Sequence, residues 1–86
     1  MAADDRTGGQ LTLYTRIGCS LCEAMEAELE PYRRRLGFEL AVVDIDADSR
    51  LIDQYGSRVP VLAVDGRVLC EAFFDPAGLE EYFTGH

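Results

Sequence analysis

Leu21, Met25, Leu29, Tyr32 and Leu36 recur at steps of three and four residues, and this run stands between two stretches of a different period. Leu11-Thr12-Leu13-Tyr14 before it and Phe38-Glu39-Leu40-Ala41-Val42-Val43 after it are short and β-prone. Strand, amphipathic helix and strand leave few arrangements. The crossover returns the chain parallel to its start. Glu23, Glu26, Glu28 and Glu30 lie on the other faces early in the helix, and Arg33-Arg34-Arg35 lie late, as the helix dipole favours. Pro31 falls inside the pattern and is expected to kink the helix or end its regular part near Glu30, with Gly37 as the stop. The second strand is apolar enough at its end to be buried on both faces.

Asp44, Asp46 and Asp48 follow, alternating, with the Gly and terminal Glu of a calcium loop missing. Helix caps and solvated turns are the expected roles, one of the last two acids capping a short helix that carries Leu51, Ile52 and Tyr55 and ends at Gly56. Val59-Pro60-Val61-Leu62-Ala63-Val64 and Arg67-Val68-Leu69-Cys70 flank Asp65-Gly66, a strong short-range hairpin signal. Asp75 and Pro76 then read as N-cap and first helical position, before Leu79, Tyr82 and Phe83 on one face. The expected order is β-α-β-α-β-β-α, an α/β fold with a four-stranded mixed sheet and helices on both faces. Eighty-six residues make one domain. Residues 1–9 are expected to be a flexible leader and 10–86 the domain.

Sixteen Asp and Glu face eight Arg and no Lys, a net charge of −8. That sign opposes nucleic acid and anionic membrane surfaces, so neither is an expected partner. No apolar stretch approaches the ~18–20 residues of a membrane span. The polar, early-acidic start does not resemble an export signal, so the cytoplasm is the expected compartment and a monomer the expected state. Thiols there stay reduced, and three cysteines do not make a disulfide framework.

Cys19-Ser20-Leu21-Cys22 therefore needs another explanation. It lies where the first strand meets the helix, which would put Cys19 in the first helical turn. Unpaired N–H groups and the positive dipole end would then face its sulfur. Such sites lower a thiol pKa from about 8.5 into the range ~3.5–7.5. Arg16 can add a positive charge nearby, and Cys22, one turn further in, is close enough to attack a mixed disulfide formed at Cys19. A tetrahedral zinc site would need two more ligands, and Cys70 and His86 are the remaining candidates, so no metal site is expected. A non-catalytic binding module, docking a partner or sharing an iron–sulfur cluster through Cys19, stays open as the alternative.

Tyr14-Thr15-Arg16-Ile17-Gly18-Cys19-Ser20-Leu21-Cys22, Arg58-Val59-Pro60 and Val64-Asp65-Gly66-Arg67 resemble the three landmarks of glutaredoxins, within the thioredoxin superfamily, over Leu11 to Phe83. The resemblance is closest to small bacterial glutaredoxin-like proteins of poorly defined substrate. It implies thiol–disulfide oxidoreductase activity, with Cys19 as nucleophile and Cys22 as resolving thiol. It also implies a cis Val59-Pro60 bond facing the cysteines, and a Val59 backbone that binds a thiol peptide as an added strand. Arg16 would receive a glutathione carboxylate, assisted by Arg58, with no resident cofactor.

The chain departs from that pattern where glutaredoxins carry a Gly-Gly pair and an acid for the γ-glutamyl end of glutathione. Cys70-Glu71 stand there, and Glu71 is expected to repel a carboxylate. Leu21 replaces the usual aromatic residue before the second cysteine. Glutathione as co-substrate, a protein disulfide, or a thioredoxin-type partner therefore all remain open. Cys70 ends an apolar strand and is expected to be structural. One of Phe73 and Phe74 is expected in the core.

Overall fold

The computed structural model describes residues 10–84; the expected leader and the end of the 10–86 domain lie outside the described residues. In chain order the elements are β1 (Gln10–Thr15), α1 (Ser20–Leu36), β2 (Glu39–Asp44), α2 (Ser49–Tyr55), β3 (Val61–Val64), β4 (Arg67–Glu71) and α3 (Pro76–Thr84). A 3-10 turn at Ile45–Ala47 leads from β2 into α2. The strands form one mixed sheet in the order β2-β1-β3-β4. β1 and β2 are parallel, and β3 is antiparallel to β1 and to β4. This is the α/β arrangement that the order of periodicities predicts.

Alternation along the central strands sorts side chains between two cores. Leu11 and Leu13 of β1 and Leu62 and Val64 of β3 join Met25 and Leu29 of α1, Phe38, and Leu79 of α3 on one face. Tyr14 and Val61 face the other way, with Ile45, Leu51, Ile52 and Tyr55. Helices therefore cover both faces. Leu11, Leu13, Leu29, Leu62 and Leu79 are fully buried, each stabilising the fold by about 1.5–3 kcal/mol relative to exposure. Phe74 packs on the first core while Phe73 is exposed, so one of the two phenylalanines is spent inside, as expected.

Two local expectations are corrected and one is narrowed. Of the kink or end expected at Pro31, the end does not occur: α1 runs unbroken to Leu36 and closes at Gly37, the expected stop, in the left-handed region (φ 77°). Proline removes the N–H that would reach the Ala27 carbonyl, but both residues lie on the exposed side, where water can serve that oxygen. Leu29, Tyr32 and Leu36 carry the packing across the break. β2 is not buried on both faces: it is a sheet edge, and Val42 is 47% exposed. Apolar residues near the end of a strand do not reveal whether a neighbour lies beyond it. Finally, β3 begins at Val61, two residues later than the apolar run suggests, because Pro60 has no N–H for the ladder.

The acids act as caps. Asp44 accepts from the Asp46 N–H and Asp48 from the Arg50 N–H, while Asp75 accepts from the Gly78 N–H at the start of α3. Asp65 and Gly66 both have positive φ (51° and 79°), the two-residue turn that the hairpin requires. The hairpin is not regular beyond it. Val64 faces Arg67 and Ala63 faces Val68, but Leu62 faces Cys70, so Leu69 is an extra residue in β4.

Candidate active site

Register brings two of the three landmarks together, the cysteine segment and Arg58-Val59-Pro60, while the Val64–Arg67 hairpin lies at the opposite end of the sheet. Tyr14 pairs with Val61, Thr15 with Asp44, and Val61 with Glu71. The segments 16–19, 45–48, 56–60 and 72–75 therefore all lie at one end of the sheet, the end toward which β1 runs. Ala72 donates its N–H to the Pro60 carbonyl (2.8 Å), fastening the segment after β4 to the segment before β3. The Val59–Pro60 peptide bond is cis.

Cys19 is the N-cap of α1 rather than a residue of its first turn, since its backbone is extended (φ −93°, ψ 109°) and Ser20 is the first helical residue. Its sulfur still meets the helix start: Sγ accepts from the Cys22 N–H at 3.1 Å. The tight approach uses Gly18 in the left-handed region (φ 81°) and a bond from the Cys19 N–H to the Arg16 carbonyl (3.3 Å). The sulfurs of Cys19 and Cys22 lie at disulfide-bonding distance. Cys19 is half-buried, whereas Cys22 is only 2% exposed. Cys19 is the more accessible residue of the pair. Ile17 (87% exposed) and Leu21 (42%) flank it.

Both arginines have partners that the sequence does not suggest. The Arg16 guanidinium donates to Asp46 (Nη2 2.7 Å, Nε 3.2 Å) and to the Gly56 carbonyl (3.4 Å). The hydrogen bond from Arg16 holds the Asp46 carboxyl below its ordinary value, and Asp46 raises Arg16 in turn. Arg58 forks onto Glu71 (Nη2 3.0 Å, Nε 3.3 Å), donates to the Gln54 carbonyl (3.1 Å) and lies over the Tyr55 ring. Glu71 is therefore not a bare carboxylate; its bond from Arg58 pulls its carboxyl down. Val59 is half-buried, and its N–H is held by the Tyr55 carbonyl (3.1 Å). That leaves its carbonyl as the group by which an added strand would have to be held.

Asp46 and Glu71 are the rim residues that pattern reasoning misses as partners of these arginines. Beneath them Tyr14 and Tyr55 stack with centroids 4.3 Å apart. Burial, and then the neighbouring Tyr55, push the Tyr14 hydroxyl up. Cys70 is a free thiol on β4, and burial pushes it up as well. Among the described residues no three His, Cys, Asp or Glu side chains gather in a way that could hold a metal ion. No helix among them is long and apolar enough to cross a membrane.

The fold is that of thioredoxins. The oxidised mitochondrial thioredoxin 3 of Saccharomyces cerevisiae superposes with a TM-score of 0.61, at 18% identity, over 90% of this chain and 77% of its own, a likeness of fold alone. A protein from Nitrosomonas europaea, solved by NMR in solution, is 41% identical with a TM-score of 0.76, over 85% of this chain and 88% of that one. An uncharacterised protein of Mycobacterium tuberculosis is 33% identical in a 63-residue alignment that covers 67% of this chain and 65% of the relative's length. The family model of the Glutaredoxin-like domain (DUF836) matches residues 10–84, from the first residue of β1 to the last of α3. The chain thus belongs to this glutaredoxin-like family.

Proposed function

We propose that the protein is a dithiol–disulfide oxidoreductase in which Cys19 attacks and Cys22 resolves. One observation carries this reading: two sulfurs at disulfide-bonding distance at a helix start, one half-buried and the other 2% exposed. In the reduced protein the Cys22 N–H and the helix dipole favour thiolate at Cys19. That thiolate attacks one sulfur of a substrate disulfide. The substrate S–S bond breaks, a mixed disulfide forms at Cys19, and the first substrate thiolate leaves and takes a proton. Cys22 then attacks the Cys19 sulfur, releasing the second thiol and closing the Cys19–Cys22 bond. Two electrons pass to the substrate, and an external dithiol or glutathione restores the protein.

The test is a reductase assay with 2-hydroxyethyl disulfide, a small uncharged substrate, beside alkylation of the reduced protein. Cys19→Ser is expected to abolish turnover, and Cys22→Ser to accumulate a mixed disulfide at Cys19 visible by mass spectrometry. At pH 6 Cys19 is expected to alkylate at least ~10-fold faster than a free thiol. Equal rates would sink the catalytic reading.

A further inference from the structure

The cations at the mouth of the dithiol site are already occupied. Arg16 is forked onto Asp46 and donates to the Gly56 carbonyl. Arg58 is forked onto Glu71 and donates to the Gln54 carbonyl. Each pair ties together two segments that meet at the cysteine end of the sheet: Arg16–Asp46 joins the segment before α1 to the 3-10 turn, and Arg58–Glu71 joins the segment before β3 to the end of β4. Both are open to solvent, each partner's side chain 37–42% exposed. The large apolar side chains exposed at this rim are Ile17, Leu21 and Phe73, the last 70% exposed. An anionic disulfide arriving here meets no uncommitted guanidinium among the described rim residues, and approaches a chain of net charge −8.

We infer that Glu71, seconded by Asp46, is a specificity-determining residue that turns the dithiol away from anionic low-molecular-weight disulfides and toward disulfides with neutral or basic surroundings. The inference rests on the proposed dithiol exchange and concerns the choice of substrate within it. Glu71 holds Arg58, so a substrate carboxylate could gain that guanidinium only by displacing a carboxylate already forked onto it. A neutral substrate has no such competition, and a basic one is in addition drawn by the net charge. Electrons balance as in the exchange above: the pre-reduced protein loses two, and the added disulfide is the sole oxidant.

Stopped-flow single turnovers of pre-reduced protein provide the test, with glutathione disulfide as the anionic probe, cystamine as the cationic one and 2-hydroxyethyl disulfide as the neutral one. The wild type is expected to react fastest with cystamine and slowest with glutathione disulfide. Glu71→Gln is expected to raise the glutathione-to-neutral rate ratio about three- to tenfold at low ionic strength, an effect that shrinks toward one in 0.5 M salt. Asp46→Asn is expected to move the ratio in the same direction, and Glu71→Asp to keep it near the wild-type value. A merely structural role for Glu71 would slow all three probes alike and leave the ratio and its salt dependence in place. A wild type that reduces glutathione disulfide as fast as the neutral probe overturns the inference, as does an unchanged ratio in Glu71→Gln. Failure with all three disulfides would instead strike the dithiol reading itself.

Discussion

Cys70 and Cys19 differ in what surrounds each sulfur. Cys19 caps a helix and meets a backbone N–H, which favours the charged form. Cys70 lies against the first core, and burial raises its thiol, a push that its backbone bond near Asp75 only partly offsets. In the fully reduced protein at pH 7, Cys70 is expected to alkylate at least ~10-fold more slowly than Cys19. Peptide mapping after timed labelling measures both, and comparable rates would contradict the structural role assigned to Cys70. At this scale the cysteine pair, Pro60 and the Asp65-Gly66 turn were legible because each is written in residue type. Glu71 was not, and Leu69 is the reason. A regular two-residue hairpin would place Cys70 opposite Val61; the extra residue places Glu71 there instead. Nothing in Val68-Leu69-Cys70 announces a bulge, so the partner of Arg58 could not be counted out along the strand.

Among the elements, α1 carries the largest local conflict. Its first turn holds Glu23 and its last turn Arg33 to Arg35, and Gly37 closes it well, yet Pro31 sits in its interior. Tertiary packing overrides the local preference, because Met25, Leu29 and Leu36 remain in line on one core. The unmade bond still has a cost, and it faces solvent. Pro31→Ala is expected to stabilise the protein by about 1–3 kcal/mol, since an interior proline costs about 3 kcal/mol and some of that is relieved by local adjustment. Urea unfolding measures it, and a loss of stability would mean that the proline sets a bend the core requires. The periodicity revealed this helix through Leu36 but did not decide whether Pro31 would end it. The glycine at the end of α2 teaches a related lesson. Gly56 does not close that helix in a left-handed conformation (φ −53°); it is there because a Cβ would lie 2.5 Å from the Ile52 carbonyl oxygen.

For the molecule as a whole, the excess of acid is partly organised. Asp46, Glu71 and Glu30 each have a carboxyl lowered by an arginine hydrogen bond. A carboxylate whose folded value lies below its unfolded one stabilises the fold above the unfolded value, near 4, and loses that contribution as pH falls through the folded value. The Tm is therefore expected to drop between about pH 5 and pH 3. The Asp46→Asn, Glu71→Gln double variant is expected to have a flatter profile over that window. Calorimetry across the range checks it, and parallel curves would assign the acid response to other carboxylates. These pairs were invisible in composition, which records sixteen acids and eight arginines but not who faces whom.

The strand order has a consequence for motion. β1 and β3 are flanked on both sides, so their backbone N–H groups come free only when the sheet itself opens, whereas β2 and β4 each have one unguarded side. The segment bearing Cys19 is tethered to the end of β1. Local opening is therefore expected first along β2 and β4, while the base at β1 stays shut. Under the proposed dithiol exchange, the Cys19 sulfur would change partners many times without the central strands approaching the unfolding transition.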